Sequence, residues 1–123
     1  MKNGKGEKGS KIIHFKQAFH GRTGYTLSLT NTTDPRKTMY FPKFDWPRIT
    51  NPKITFPLDK NLDQVVASAD KAIAEIKDAI SNNPDNIASM IIEPIQGEGG
   101  DNHFRCEFMQ ELRSIADKND IML

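Results

Sequence analysis

Residues 93–101, EPIQGEGGD, bring together the residue types that enzyme chemistry uses most often. The segment holds carboxylates, an amide and several glycines, and it directly follows the apolar run 87–92. An ionised carboxylate at the end of a buried strand must be paired or hydrogen-bonded, because its desolvation costs several kcal/mol. Glu93 is therefore either an acid that orients a cofactor or catalytic group, or a residue that caps the next helix or meets solvent. Its position alone does not decide between these interpretations.

The middle of the same segment, residues 96–100, offers an amide, a carboxylate and flexible backbone. Its glycines permit positive φ and a close approach of the backbone to a ligand. The spacing matches neither the dinucleotide-binding nor the P-loop pattern, and Glu98 would repel a phosphate. The plainer alternative is a connector between a strand and a helix.

A second candidate segment, residues 19–22 with the sequence FHGR, follows the β-branched run 11–15. Phe19 can stack on a planar ligand, and Arg22 can bind a carboxylate through two parallel hydrogen bonds. The alternative is a core phenylalanine and a surface arginine. Taken alone, these residue types favour the alternative.

The composition excludes several classes of protein. The chain has 123 residues and a net charge of +1, so no strong field favours nucleic acid or an anionic membrane. No apolar run approaches the ~20 residues that a membrane span requires. Cys106 is the only cysteine, which excludes an internal disulfide and predicts a reducing, cytoplasmic setting. The histidines show no metal-ligand spacing, and we expect no metal site. They are His14, His20 and His103.

Hydrophobic patterning predicts the elements that must position these residues. Residues 11–15, KIIHF, are predicted as a strand. Residues 17–57 hold five prolines and little helical periodicity, which indicates loops and short edge strands. Residues 62–80 are predicted as a helix, with Asn61 as N-cap, Gln64 reaching back to it and an Asn-Asn-Pro sequence as the stop. The apolar stripe of this helix comprises Leu62, Val65, Val66, Ala69, Ala72, Ile73, Ile76 and Ile80.

The second half of the chain continues this alternation. Residues 87–92, IASMII, are typical of a strand buried on both faces of a parallel sheet. A second helix follows, and Ile121 opens another strand. The apolar face of the second helix comprises Phe104, Phe108, Leu112, Ile115 and Ala116. This order indicates βαβ units and an α/β fold with a mostly parallel sheet. Residues 93–101 then lie at the carboxyl end of a parallel strand, the edge where ligands bind in open α/β sheets.

The two ends of the chain differ from those of a complete domain. Residues 120–123 have the pattern of an apolar strand that is just beginning, and the Lys- and Gly-rich residues 2–6 have that of the exit from a helix. We therefore expect the chain to be an interior piece of a longer protein.

Three segments of the chain resemble the class III, pyridoxal-phosphate-dependent aminotransferases. They are residues 19–32 (FHGRTGYTLSLTNT), 41–49 (FPKFDWPRI) and 93–105 (EPIQGEGGDNHFR), and the resemblance extends over nearly the whole chain. It implies that residues 1–123 are part of the large domain of a fold-type-I enzyme, a mostly parallel sheet with flanking helices in a homodimer. It also implies pyridoxal 5'-phosphate as the cofactor, held as a Schiff base on a lysine.

The motif in residues 20–32 is similar to that of the members that act on L-lysine. The resemblance implies transfer of the ε-amino group of lysine to 2-oxoglutarate, giving 2-aminoadipate 6-semialdehyde and glutamate. It implies a place in lysine catabolism or, as the alternative, in the supply of 2-aminoadipate for secondary metabolites. FDWP with EGGDNH also occurs in members that act on 4-aminobutyrate, so another ω-amino-acid transaminase is the first alternative. The second alternative is a truncated, non-catalytic relative that serves as a binding or dimerisation module.

The resemblance also implies which residues contact the cofactor. Phe19 matches the aromatic residue that stacks on the pyridine ring, and His20 lies beside it in the same cofactor-binding motif. Glu93 matches the acid beneath the cofactor, which supports the aspartate that pairs with the pyridine nitrogen.

Three further residues are implied to bind substrates. Arg22 matches the arginine that receives the carboxylate of ω-amine substrates. Glu98 matches a switch glutamate, which pairs with a distant arginine and swings away when an α-carboxylate needs that arginine. Gln96 lies in the same motif and is assigned to the substrate site with them.

Other parts of the family's active site have no counterpart in these residues. The resemblance places the Schiff-base lysine, the aspartate of the pyridine nitrogen and the arginine partner of Glu98 downstream of Leu123. It places the phosphate-binding loop upstream of Met1. We therefore expect residues 1–123 by themselves to contain no catalytic lysine and to be inactive in transamination.

Overall fold

The computed structural model describes residues 8–123, so the expectation for residues 2–6 lies outside the described residues. The strands of the main sheet are β1 (Lys11–Phe15), β2 (Arg48–Ile49) and β3 (Ile87–Met90). They are parallel, in the order β2-β1-β3. A parallel bridge from Ser89 to Met122 continues the sheet beyond β3. The predicted parallel sheet is therefore confirmed, whereas the strand predicted to open at Ile121 is represented by this single bridge at Met122.

The two long helices pack against the sheet through one shared core. The α-helices are α1 (Gly24–Leu29), α2 (Leu58–Asn82) and α3 (Cys106–Lys118). The core cluster comprises Ile13, Phe15, Ile49, Ala69, Ala72, Ile76, Ile87, Met90, Phe108, Leu112, Ile115, Ala116 and Ile121. Phe15 and Phe108 meet edge to face with ring centroids 6.2 Å apart. Burial of this apolar surface is the main force that holds α2 and α3 on the strands. No helix among the described residues has both the length and the apolar character needed to cross a bilayer.

α2 begins one turn earlier than the sequence predicted. Pro57 occupies the N-cap position, and the Nδ2 group of Asn61 donates to the carbonyl of Pro57 at 2.8 Å from within the first turn. The predicted N-cap at Asn61, with Gln64 reaching back to it, is therefore wrong. A proline suits this start because its φ is restricted and the N–H that it lacks would have no partner there. The predicted stop is confirmed, since α2 ends at Asn82.

Short elements lie where the sequence predicted loops. Segment 17–57 contains β2, a short edge strand as expected, and also α1, whose six residues are too few to show a periodic apolar stripe. Segment 95–103 forms an antiparallel hairpin rather than a plain connector. Its strands are β4 (Ile95–Gln96) and β5 (Asn102–His103). Phe104, predicted on the second helix, precedes α3 and packs against the core.

An aromatic stack orders the surface beside α1. Tyr25 and Phe44 stack with centroids 5.1 Å apart, and Phe44 and Trp46 stack at 4.8 Å. The backbone N–H of Phe44 donates to the hydroxyl of the buried Ser28 at 2.9 Å, which attaches this loop to α1. The loop is therefore held by ring contacts and one hydrogen bond.

His14 lies on the face of β1 opposite Ile13 and Phe15, because side chains alternate along a strand. Its side chain is 1% exposed, and its Nδ1 atom has no hydrogen-bond partner among residues 8–123. Burial, and after it the positive charge of Arg48, lower the pKa of His14 from 6.5 to about 4. His14 is therefore neutral in the folded protein at pH 7.

We expect Ile76→Ala to lower the free energy of unfolding by about 2–5 kcal/mol, because it removes a fully buried side chain from the core. Leu62→Ala is the matched control on the same helix. Leu62 is 41% exposed although the sequence placed it on the buried stripe, so its truncation should change stability by less than about 0.5 kcal/mol. Urea unfolding of the full-length protein that carries this chain measures both values. Equal losses in the two variants would contradict this account of the core.

We expect the free energy of unfolding to fall by about 2 kcal/mol between pH 7.5 and pH 5 because of His14. The unfolded chain takes up a proton on His14 below its ordinary pKa of 6.5, whereas the folded protein does so only near its lowered pKa of about 4. Acid therefore favours the unfolded state over this window. His14→Gln should remove that part of the pH dependence, and His103→Gln, at an exposed histidine, should retain it. An unchanged pH dependence in His14→Gln would disprove the assignment.

Candidate active site

The carboxyl ends of β1 and β3 bring two of the candidate residues together. These strands are parallel neighbours, so the segments that follow them leave the sheet at the same edge. Glu93 Oε1 accepts a hydrogen bond from the backbone N–H of Phe19 at 2.7 Å. The carboxylate thus has the hydrogen bond that its position requires. It does not cap the next helix, because α3 begins at the N-cap Arg105 without a side-chain cap bond.

Arg22 lies next to the ring of Phe19. Its guanidinium carbon is 5.7 Å from the ring centroid, within the distance at which a cation is attracted to an aromatic face. The arginine is exposed and Phe19 is half-buried. Among the described residues, no ion pair or hydrogen bond involves the Arg22 guanidinium. Its donors are therefore free to bind a carboxylate.

Thr30, just beyond α1, fixes the backbone between these two residues. Its buried hydroxyl accepts from the backbone N–H of His20 at 3.0 Å and donates to the carbonyl of Gly21 at 2.7 Å. Gly21 has φ +116°, and a Cβ atom there would lie 2.6 Å from the hydroxyl oxygen of Thr26. Only glycine meets both conditions. The segment that carries Phe19 and Arg22 therefore has a defined path.

His20 contributes a buried nitrogen without a partner. Burial lowers the pKa of His20 below its usual value, and the negative charge of Glu93 opposes that shift. The Nε2 atom of His20 has no hydrogen-bond partner within residues 8–123. An unpaired buried polar atom costs about 1–3 kcal/mol, so this nitrogen is suited to bind a polar group.

Gln96 is the centre of a cluster of four amide side chains, here called the amide cluster: Gln17, Asn51, Gln96 and Asn102. Gln96 Oε1 accepts from the Nδ2 groups of Asn51 at 2.8 Å and Asn102 at 2.9 Å. Its Nε2 donates to the backbone carbonyl of Lys16 at 3.1 Å. Asn51 Nδ2 also donates to Gln17 Oε1 at 2.8 Å. Gln96 is 0% exposed, so its amide binds the protein itself. Its assignment to the substrate site stays a prediction.

Glu98 lies on the turn that joins β4 to β5. The backbone N–H groups of Gly100 and Asp101 donate to the carbonyl of Gly97 at 3.1 and 3.2 Å, which closes the turn. Gly100 and Asp101 have φ of +112° and +51°. The Glu98 side chain is exposed and makes no ion pair or hydrogen bond with any described residue. Its carboxylate is therefore free to interact with a group outside this part of the chain.

The sequence-predicted residues form two groups in space. Glu93 contacts Phe19, and Arg22 lies against the same ring, with His20 between them in the chain. The second group, Gln96 and Glu98, belongs to the hairpin. The contact of Gln96 with the carbonyl of Lys16 joins the hairpin to the segment after β1.

Sequence reasoning missed Thr30 and three members of the amide cluster. One signal was available, because Gln17 follows β1, Asn51 follows β2 and Gln96 follows β3 at a short distance. Amides at the carboxyl ends of adjacent parallel strands meet at one edge. Their hydrogen-bond partners, however, depend on the positions of segments that are distant in sequence.

The arrangement suits a planar ligand that carries polar groups. It offers an aromatic face, a buried imidazole nitrogen, a carboxylate and a free guanidinium. Within residues 8–123 there is no cluster of three histidine, cysteine or acidic side chains that could hold a metal ion.

Comparison with known proteins shows the family to which the chain belongs. The model of the family described as aminotransferase class-III matches residues 1–123. The L-lysine-epsilon aminotransferase of Mycobacterium tuberculosis (strain ATCC 25618 / H37Rv) is 47% identical over 115 residues, which are 94% of this chain and 25% of that protein. The 4-aminobutyrate aminotransferase of Saccharomyces cerevisiae is 38% identical over 111 residues, which are 90% of this chain and 23% of that protein.

The solved structure of a lysine aminotransferase from M. tuberculosis matches with a TM-score of 0.85 at 47% identity. The match covers 92% of this chain and 25% of that one. It confirms the predicted fold class, the parallel sheet with flanking helices of fold-type-I aminotransferases. The chain thus spans 25% of the length of the lysine aminotransferases that it matches. Motifs, fold and family model agree that the chain belongs to the class III aminotransferase family.

Proposed function

We propose that the full-length protein carrying this chain transfers the ε-amino group of L-lysine to 2-oxoglutarate with pyridoxal 5'-phosphate as its cofactor. The observation that carries the proposal is the hydrogen bond between Glu93 and the backbone of Phe19, with Arg22 against the same ring. It assembles an acid, an aromatic face and a carboxylate receptor at one sheet edge. The 47% identity to the M. tuberculosis lysine enzyme supports the choice of lysine.

Phe19, His20 and Glu93 are the residues that would hold the cofactor in this chain. The half-buried ring of Phe19 offers a face for the pyridine ring, and the unpartnered Nε2 of His20 can bind a polar substituent. Glu93 holds the backbone of Phe19 and supplies negative charge next to it. When bound, pyridoxal phosphate supplies an electron sink that makes the carbon bearing the amine acidic. The described residues fit this group.

Arg22 and Glu98 would select the two substrates. Lysine must present its ε-amine while its α-carboxylate stays far from the reacting centre, and the free Arg22 guanidinium can hold that carboxylate. 2-Oxoglutarate carries two carboxylates and needs a second cationic site. An exposed Glu98 can cover that second cation in the lysine half-reaction and release it in the other. Gln96 lies two residues before Glu98 and is assigned to the substrate site with it.

We further propose a homodimer in the cytoplasm that takes part in lysine breakdown, without nucleic-acid or membrane partners. The resemblance supports the homodimer and the pathway. The single cysteine supports a reducing compartment, and the net charge of +1 offers no field for nucleic acid.

The amine donor is tested by assaying the full-length protein with L-lysine and with 4-aminobutyrate, each with 2-oxoglutarate. We expect kcat/KM for lysine to exceed that for 4-aminobutyrate by at least ~10-fold, since a receptor at a fixed distance discriminates between substrates of different length. Lysine has two more carbons between its reacting amine and its carboxylate. The reverse order would assign the protein to the 4-aminobutyrate enzymes. Glutamate formation from neither amine would favour the non-catalytic alternative.

Arg22→Lys tests the carboxylate receptor. The ammonium group introduced at position 22 cannot reproduce the two parallel hydrogen bonds of a guanidinium. The KM for the substrate L-lysine should therefore rise about 10-fold, while kcat changes less than about 3-fold. Arg36→Lys is the matched control, because Arg36 is exposed and its ion pair with Asp34, 2.9 Å long, involves none of the candidate site residues. A fall in kcat with an unchanged KM would show that Arg22 does not receive the carboxylate.

A further inference from the structure

The amide cluster is built from segments that only the fold brings together. Gln96 lies 80 positions from Lys16 and 45 from Asn51 in the sequence, and it hydrogen-bonds to both. Both lone-pair directions of its Oε1 have an amide donor, from Asn51 and Asn102. Because all these bonds depend on one side-chain position, the cluster specifies a single arrangement of the segments after β1, β2 and β3.

The cluster also holds the backbone on both sides of Glu98. Gln96 precedes the turn, and the carbonyl of Gly99 accepts from Asn102 Nδ2 at 3.0 Å. Gly99 packs so closely on the carbonyl of Gln17 that a Cβ atom at this position would clash with it. Both flanks of Glu98 are thus fixed relative to the bend after β1.

That bend is itself held in one conformation. Gln17 has φ +62°, in the left-handed region that a residue with a side chain seldom adopts. Its N–H donates to Asn31 Oδ1 at 2.9 Å, and its side chain accepts from Asn51. The bend leads directly to Phe19, which follows two residues later in the sequence.

We propose that Gln96 is a positioning residue that acts on substrate selection through Glu98. Through the amide cluster it holds the backbone of Glu98 at a fixed place relative to the segment that carries Phe19 and Arg22. The Glu98 carboxylate can then cover the second cation in one half-reaction and leave it in the other. This inference rests on the proposed function for the role of Glu98, and it replaces a direct contact of Gln96 with substrate.

The test separates the two half-reactions in the full-length protein. Gln96→Met keeps the side-chain size and removes all three hydrogen bonds. We expect it to slow the single-turnover half-reaction with L-lysine at least ~10-fold more than the half-reaction with 2-oxoglutarate, because only the first needs Glu98 in place. A residue that merely stabilises the fold would slow both half-reactions by the same factor, and that result would overturn the proposal.

A second readout does not depend on activity. The amide hydrogens of Gly100 and Asp101 bond to the carbonyl of Gly97 within the turn. Their exchange with solvent should become at least ~10-fold faster in Gln96→Met, while exchange in the core of α2 stays unchanged. Unchanged exchange in the turn would show that the cluster does not hold Glu98.

Asn51→Ala keeps the test decisive if Gln96→Met does not fold. It removes one donor to Gln96 but leaves the bonds to Asn102 and Lys16. It should shift the ratio of the two half-reactions in the same direction by a smaller factor, and an unshifted ratio would overturn the proposal. Asn61→Ala is the matched control, since among the described residues the Asn61 side chain hydrogen-bonds only to the carbonyl of Pro57 at the start of α2.

The proposed function and this inference fail separately. If the wild-type protein uses another amine, lysine as the donor is wrong. The rates of the two half-reactions are then compared with that amine in place of lysine. If the wild-type protein transfers no amine, the proposed function is wrong and this role of Gln96 falls with it. If it transfers amine and the ratio does not change in Gln96→Met, only the role of Gln96 is wrong.

Discussion

The parallel pairing of β1 with β3 is the constraint on which the candidate site depends. Where two neighbouring strands end at the same edge of a sheet, the backbone N–H and C=O groups beyond them no longer pair with the next strand. These groups must find other hydrogen-bond partners. The N–H of Phe19 needs an acceptor, and the carboxylate of Glu93 needs a donor. One hydrogen bond of 2.7 Å meets both needs across 74 positions of sequence. The aromatic face therefore lies beside the acid because the sheet pairing puts it there.

Apart from Glu93, neutral groups hold the frame of the site, whereas the charged side chains of Arg22 and Glu98 have no ion pair or hydrogen bond with the described residues. Amides and a hydroxyl fix the segments after the strands, and they do so without adding charge. Other arginines among the described residues are bound to the protein: Arg36, Arg105 and Arg113 form ion pairs, and Arg48 donates to the carbonyl of Ser28. Arg22 has no such partner. A guanidinium that is already paired would have to exchange one carboxylate for another, which lowers its affinity for a substrate.

The sequence located the long elements, whereas it predicted short edge strands only for segment 17–57 as a whole and missed α1, for a physical reason. β1, β3, α2 and α3 bury apolar stripes, and those stripes appear as periodicity. α1 has six residues and β2, β4 and β5 have two each, so their patterns are too short to recognise. The start of α2 was misplaced because a polar residue with good capping chemistry, Asn61, lies one turn after the proline that begins the helix.

In the candidate site, too, some residues are revealed by local sequence patterns and others are brought together only by the fold. Residue type and place after a strand made Phe19, Arg22 and Glu93 candidates, and the resemblance supplied their expected roles. The structure brings Glu93 and Arg22 into contact with Phe19. The amide cluster could not be assembled in this way, because amides are common in loops and their type does not reveal a partner. Gln96 hydrogen-bonds across 80 positions to a backbone carbonyl, which no local pattern encodes.

Under the proposed function, the contrast between Gln96 and Glu98 is what would let a carboxylate serve in one step and withdraw in the next. Gln96 is buried and bonded, whereas Glu98 has a fixed backbone and an exposed side chain. When such a carboxylate pairs with a cation, it loses side-chain freedom worth at most about 2 kcal/mol. If the whole turn were mobile, ordering its backbone would cost a further 1–2 kcal/mol or so for every residue fixed. Holding the backbone in advance therefore spares the pairing this cost, and the exposed position of the Glu98 side chain keeps the ion pair weak enough to reverse.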